Sequence, residues 1–257
     1  MTQQPYYMID FSASACMFEI LINDYPVISM NVEGQVSTNL PINYAILESG
    51  EQTISHKILP LLGETSIHEK AELKYDIKLF DVSNDFVFKE QFAEYKSEPV
   101  EDKKLPVIAS GKKFNAKVPY KLEAWQNGTV IKNDDNHKEK LHLAYTEIIN
   151  LINKGDYTGF QKKITAREYN MTSSMYLSKS ESDSRIEELI EDFKNGFKTL
   201  PVDKKSIFHI YGFGKVAMLK KLNGESGLTL VNEKTKEELM LDISFYLPQG
   251  SDKFEVI

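Results

Sequence analysis

The stretch from Asn136 to Pro201 is the only part of this chain with sustained helical periodicity, and strand-like sequence lies on both sides of it. The rest of the chain is organised around that insert, with a long β-rich half before it and a run of β-hairpins after it. Residues 137–154 carry Leu141, Ala144, Tyr145, Ile148, Ile149 and Ile152 on the i, i+3, i+4, i+7 stripe of an amphipathic helix. Asn136 is its expected cap, with Glu139 reaching back as in a capping box. Gly155 stands where a left-handed residue ends a helix. Asp156 then caps a short second helix that buries Tyr157, Phe160 and Ile164. In a third helix Ile186, Leu189, Ile190, Phe193 and Phe197 form one stripe, while Glu187, Glu188, Glu191 and Lys194 cover the other face. Pro201 is its expected stop, and the serine-rich run Ser178 to Ser184 supplies its caps.

With 257 residues the chain can form one large domain or two ordinary ones, and 41% hydrophobic with 27% charged residues makes it globular. A single cysteine, Cys16, excludes an internal disulfide and the cysteine-based zinc motifs. The N-terminal sequence lacks a basic residue ahead of its apolar part, so no signal peptide is expected, and Cys16 is not framed as a lipobox cysteine. No apolar run approaches the roughly 18 residues that span a bilayer. The expectation is a soluble, leaderless, cytoplasmic protein without a membrane partner. The net charge is −7, and only two of the 31 basic residues, Arg167 and Arg185, are arginine. Arginine is the usual residue for bidentate phosphate and base contacts, so no nucleic-acid partner is expected. A basic protein partner suits this charge better.

In the N-terminal half, residues 16–22 and 25–32 read as two strands joined at Asn23-Asp24, followed by a polar break from Glu33 to Asn39. Leu47 to Gly50 is a turn. Gln52, Ile54, His56 and Ile58 then share one strand face, with Thr53, Ser55 and Lys57 on the other. Leu73, Tyr75, Ile77 and Leu79 alternate with Glu72, Lys74, Asp76 and Lys78 in a clearer strand. Residues 84–104 fit either a short helix or a strand and loop around Phe86, Phe88, Phe92 and Tyr95. A further strand lies within residues 107–125, and Asn127-Gly128 is a hairpin signal before Thr129-Val130-Ile131. Many short strands with turns between them suggest a sandwich. The segment ILINDYPV, with PINYAILESGEQTISHKI after it, resembles galactose-binding-like and immunoglobulin-like β-sandwich modules across residues 14–60. The resemblance implies a fold and not a sugar ligand. Trp125 is the only tryptophan, and core packing is its expected role.

The run 132–140, KNDDNHKEK, holds no apolar residue and is the expected boundary between a domain at 1–131 and one at 138–257. After the helices, residues 206–211, 215–222, 227–232 and 238–247 read as four strands, with turns at Asn223-Gly224 and Glu233–Lys236. In the last, Leu239, Leu241, Ile243, Phe245 and Leu247 share one face. INLINKGDYTGFQKKIT, together with this order of helices and antiparallel meander, resembles the cystatin-like, nuclear-transport-factor-2-like superfamily across residues 138–257. That superfamily includes enzymes, ligand pockets and interaction domains, so the resemblance carries over no catalytic residue.

No histidine pair has metal-ligand spacing; His137 and His142 fall on different helix faces, and no metal or cofactor is expected. Gly212-Phe213-Gly214-Lys215 lacks phosphate-loop spacing and reads as a turn. If the C-terminal domain encloses a pocket, His209, Tyr211, Asp242 and Tyr246 are its candidate polar groups, with Asp242 the partner that would make His209 a base. Filling of that cavity by Phe193, Phe197 and Met218 would end that reading. The fold expected is α+β, an N-terminal antiparallel β-sandwich followed by a cystatin-like domain. The function expected is that of a non-catalytic bacterial protein-binding protein, in its concrete form an immunity protein that neutralises a secreted toxin. The alternative is a small-ligand-binding or enzymatic cystatin-like domain with an accessory, carbohydrate-binding sandwich.

Overall fold

The structure, a computed structural model, describes residues 3–257. Three helices and antiparallel sheets make the chain a mixed α+β protein, and it divides into two compact units, Met1–Leu122 and Glu123–Ile257. Among the described residues no helix is long and apolar enough to cross a membrane. The division falls ahead of the polar run 132–140. Trp125 and Ile131 are 6% and 4% exposed, and Ile131 belongs to the core of the second unit. A wholly polar run marks solvent exposure; here it leads into a helix and does not separate two cores.

The first unit is built on one strand, β1 (Pro5–Ile22). It turns into β2 (Tyr25–Pro41) across Asn23 and Asp24, whose φ values of 52° and 60° suit a two-residue hairpin turn. Residues 8–14 of β1 lie between β2 and β4 (Glu72–Asp81). Residues 17–22 lie between β2 and β3 (Gly50–Leu59). Outside β4 and β3 lie β5 (Val87–Lys96) and β6 (Ile108–Ala116). The change of partner on β1 coincides with a bulge at Ala15, where φ is 48°. A straight strand would hold Phe11 and Phe18 about 23 Å apart at roughly 3.3 Å per residue. Their ring centroids are 5.5 Å apart, so the sheet folds over its own core at that bulge.

Both hairpin strands are longer than expected. Tyr7, Ile9, Phe11 and Ala13 are buried in alternation, so β1 begins well before Cys16. The stretch Glu33 to Asn39, expected as a break, is strand; it forms a sheet edge, where side chains need no apolar character. The stretch 84–104 resolves as β5 followed by loop.

In the second unit α1 (Asp135–Asn153) is capped by Asp134, whose carboxylate accepts from the His137 N–H, and not by the expected Asn136 two residues on. Gly155 has φ 70°, as a left-handed helix end requires, and Asp156 caps α2 (Tyr157–Ser174). This helix is 18 residues long and not short. Its last turns bury Glu168, Asn170 and Ser174, polar groups that a hydrophobic stripe does not reveal. α3 (Lys179–Lys194) opens on a capping box in which Ser178 and Glu181 exchange hydrogen bonds. It ends ahead of Pro201: Gly196, with φ 107°, releases the chain into β7 (Phe197–Thr199). Phe197 is therefore a strand residue.

Two small sheets complete this unit. One has the order β11 (Glu238–Met240), β10 (Thr229–Asn232), β7. The other has the order β13 (Glu255–Val256), β12 (Phe245–Tyr246), β9 (Val216–Lys220), β8 (Ile207–Tyr211). The expected single strand 238–247 is broken, because its two ends serve different sheets. Asn127-Gly128 is no hairpin either; Gly128 makes an isolated bridge to Pro248. The helices and sheets share a core of Leu141, Tyr145, Ile148, Phe160, Leu219 and Phe245, among others. Within it the Tyr145 hydroxyl donates to the Ile243 carbonyl at 3.1 Å and accepts from the Leu219 N–H at 3.0 Å. That pair of bonds ties α1 to β9 and satisfies a fully buried hydroxyl.

Candidate functional site

Of the residues expected to line a pocket in the second unit, His209, Tyr211 and Tyr246 share one sheet face, and Asp242 lies apart from them. Strand alternation settles their facing. Phe208, Ile210, Ala217, Leu219 and Phe245 pack into the core with the helices. His209, Tyr211 and Tyr246 therefore take the opposite face, with Met218 beside His209 and Val216 between the two tyrosines. Phe193 and Phe197 belong to the helix side of the sheet, as core and packed residues. The His209 and Tyr211 rings stack at 5.6 Å with planes 4° apart. Asp242 is exposed in the link between β11 and β12, where its carbonyl meets Arg167 at 3.4 Å. Trp125 closes over the β8–β9 turn: a Cβ on Gly212 would stand 2.9 Å from its ring, and Gly212 has φ 59°. The Gly212–Lys215 stretch is thus a packed turn.

The two arginines share one partner. Arg167 and Arg185, from α2 and α3, both pair with Glu168, the latter at 3.3 Å, and the Glu168 carboxylate side chain is 11% exposed.

The strongest polar cluster of the first unit is one the sequence concealed. His56 is 1% exposed on β3, and its Nδ1 lies 3.0 Å from the Tyr75 hydroxyl of β4. The Tyr95 ring of β5 lies 3.9 Å from the His56 ring and stacks on Tyr75 at 5.1 Å. Burial, and secondarily the Lys112 ammonium, push the imidazole down to about 4. Burial raises the Tyr75 phenol. At neutral pH His56 and Tyr75 form an uncharged, buried pair, with the half-buried Tyr95 ring against them. His56 Nε2 has no hydrogen-bond partner among the described residues. Reading His56 as one of a core-facing row was possible from Gln52, Ile54 and Ile58. Its partners were not, since Tyr75 and Tyr95 meet it only once the sheet has folded over.

At β4 and β5 lies an open depression of about 630 Å³, lined by Asp10, Asp76, Glu94 and Lys96 and also by Tyr75 and Tyr95 of that cluster. Part of its charge is paired. Lys78 is 2.5 Å from Asp10 and 4.0 Å from Asp76, while Glu72 holds both Lys74 and Lys96. Among the described residues no three His, Cys, Asp or Glu side chains gather as metal ligands.

An exposed aromatic group stands at the β4–β5 hairpin. Phe86, Val87 and Phe88 are 48%, 42% and 51% exposed. Tyr6 meets Phe86 at 5.1 Å, and Phe80 meets Phe86 at 6.1 Å and Phe88 at 5.8 Å. Asp85 and Phe86 both have positive φ, 55° and 56°, so the turn that presents the rings is itself tightly wound. The signal available in sequence was Asn84-Asp85, a turn pair, directly followed by an aromatic run; the uncertainty between helix and strand hid it. No protein-family model matches this chain, and neither does any curated protein or solved structure.

Proposed function

We propose that this chain acts by binding another protein, and that the β4–β5 hairpin is where the partner is gripped. The observation that carries this is the side-by-side exposure of Phe86, Val87 and Phe88 at a turn backed by Tyr6 and Phe80. Single exposed apolar residues are ordinary on protein surfaces, whereas a contiguous aromatic patch is a feature of contact sites. The net charge of −7 favours a basic partner by steering its approach. An immunity protein held against a basic secreted toxin of a bacterium is the concrete form of this reading. A sandwich-like first unit and a cystatin-like second unit accompany it. The sheet folded over one core supports the former, and the order of three helices before antiparallel strands supports the latter.

The test compares the natural chain with a Phe86→Ser/Phe88→Ser variant as baits in a native lysate. A protein retained by the natural chain and lost with the variant supports the reading, given matched circular dichroism of the two baits. Equal retention by both would remove the hairpin from the argument. A toxin-like reading frame beside this one would favour the immunity form.

A further inference from the structure

Three Asn-Gly pairs stand in this chain: Asn127-Gly128, Asn195-Gly196 and Asn223-Gly224. In such a pair the glycine nitrogen can attack the side-chain amide of the asparagine before it, because glycine has no Cβ to crowd the approach. The fold decides whether it does. A nitrogen whose N–H is hydrogen-bonded must first give up that bond. Gly128 donates to the Trp125 carbonyl at 2.9 Å and is bridged to Pro248, and a Cβ on it would stand 3.2 Å from the Tyr246 ring. Gly224 is buried and donates to the Lys221 carbonyl at 3.0 Å, while Asn223 Oδ1 accepts from the Glu225 N–H at 3.2 Å. The third pair has neither protection. Asn195 follows the last residue of α3 and is exposed, and the Gly196 N–H has no hydrogen-bond partner among the described residues. Helix ends fray, which gives this peptide the rotation that the attack needs.

We propose that Asn195 is a site of spontaneous deamidation in the folded chain, and that the fold protects Asn127 and Asn223 from the same reaction. The Gly196 nitrogen bonds to Asn195 Cγ as the Cγ–Nδ2 bond breaks. The departing amide takes the Gly196 proton and leaves as ammonia. Nothing is oxidised or reduced. Solvent water then opens the cyclic imide at one carbonyl or the other, leaving aspartate or isoaspartate. Both products place a carboxylate at the C-terminal end of α3, where the helix dipole is already negative and Glu191 lies one turn back. Isoaspartate also adds a carbon to the main chain just ahead of β7, whose Phe197 pairs with Asn232 of β10. The Asn232 side chain in turn donates to the Asn195 carbonyl at 3.3 Å. The modification therefore loosens the joint between α3 and its sheet.

Peptide mapping by mass spectrometry tests this on the full chain, aged in warm, mildly alkaline heavy-oxygen water. The peptide holding Asn195 should take up one heavy oxygen and split into aspartate and isoaspartate forms. The peptides holding Asn127 and Asn223 should convert at least roughly tenfold more slowly, since each must first give up a hydrogen bond. In urea all three should react at comparable rates, as expected if the fold makes the choice. Asn195→Gln, with circular dichroism matching the natural chain, should stay intact at that position, because its longer side chain closes the larger ring less readily. Conversion of Asn127 or Asn223 as fast as Asn195 in the folded chain would overturn the proposal. So would an Asn195 that persists in the folded chain while the urea-unfolded chain reacts. Asn195→Asp, which carries the charge of the product, should unfold at a lower urea midpoint than Asn195→Gln. Equal midpoints would overturn the loosened joint.

Discussion

His56 is the residue whose surroundings have the clearest measurable consequence. In the folded chain its imidazole is held at about 4, against an ordinary value of 6.5 when unfolded. Between those values the unfolded chain takes up a proton that the folded chain refuses. The contribution of His56 to stability is therefore whole above pH 6.5, declines as the pH falls toward 4, and levels off below. At about 1.36 kcal/mol per unit the loss across that window is roughly 3 kcal/mol. Urea unfolding across pH 4 to 7 should show this slope, and His56→Phe should flatten the profile by that amount. An unchanged slope in the variant would assign the pH dependence to other groups. Glu168 is the second such residue. Its removal leaves two guanidinium groups without their shared carboxylate, so Glu168→Ala should cost about 2 kcal/mol in the same assay. The scarcity of arginine was legible in sequence as a sign against nucleic acid; that both arginines serve one carboxylate was not, because the three residues meet only through the packing of α2 on α3.

At the level of elements, what could be read in advance was whatever buried one face against a core. The row Leu73, Tyr75, Ile77 on β4 and the stripe Leu141, Tyr145, Ile148 on α1 behave this way. What could not be read was whatever lay at an edge or changed partner. The second half of β2 is polar because one side of it faces solvent. The alternation from Leu239 to Leu247 continues through a change of sheet that side chains alone do not announce. The capping box of α3 was legible only as one of several serines; the structure selects Ser178. Ser178→Ala should lower stability by about 1 kcal/mol, the usual worth of an N-cap, measured by urea midpoint at constant slope. Ser180→Ala, inside the helix, provides the comparison and should change little.

For the molecule as a whole, the division at Leu122 predicts which fragments fold. Each unit owns a core, so 1–122 and 123–257 should each unfold cooperatively in urea. A fragment 136–257 loses Ile131 and Trp125 and should be at least 2 kcal/mol less stable than 123–257, since each is a large buried side chain. Equal stability of the two would return the boundary to the polar run. One further consequence follows from where the single cysteine sits. Cys16 is fully buried beside the Ala15 bulge, where β1 exchanges one partner strand for another, and burial pushes its thiol to about 11. A thiol reagent can reach it only after the first unit opens around that strand. With reagent in excess, the labelling rate becomes the opening rate itself, independent of reagent concentration. The chain thus carries its own clock for the lifetime of its native sheet, readable by mass spectrometry with no residue introduced for the purpose.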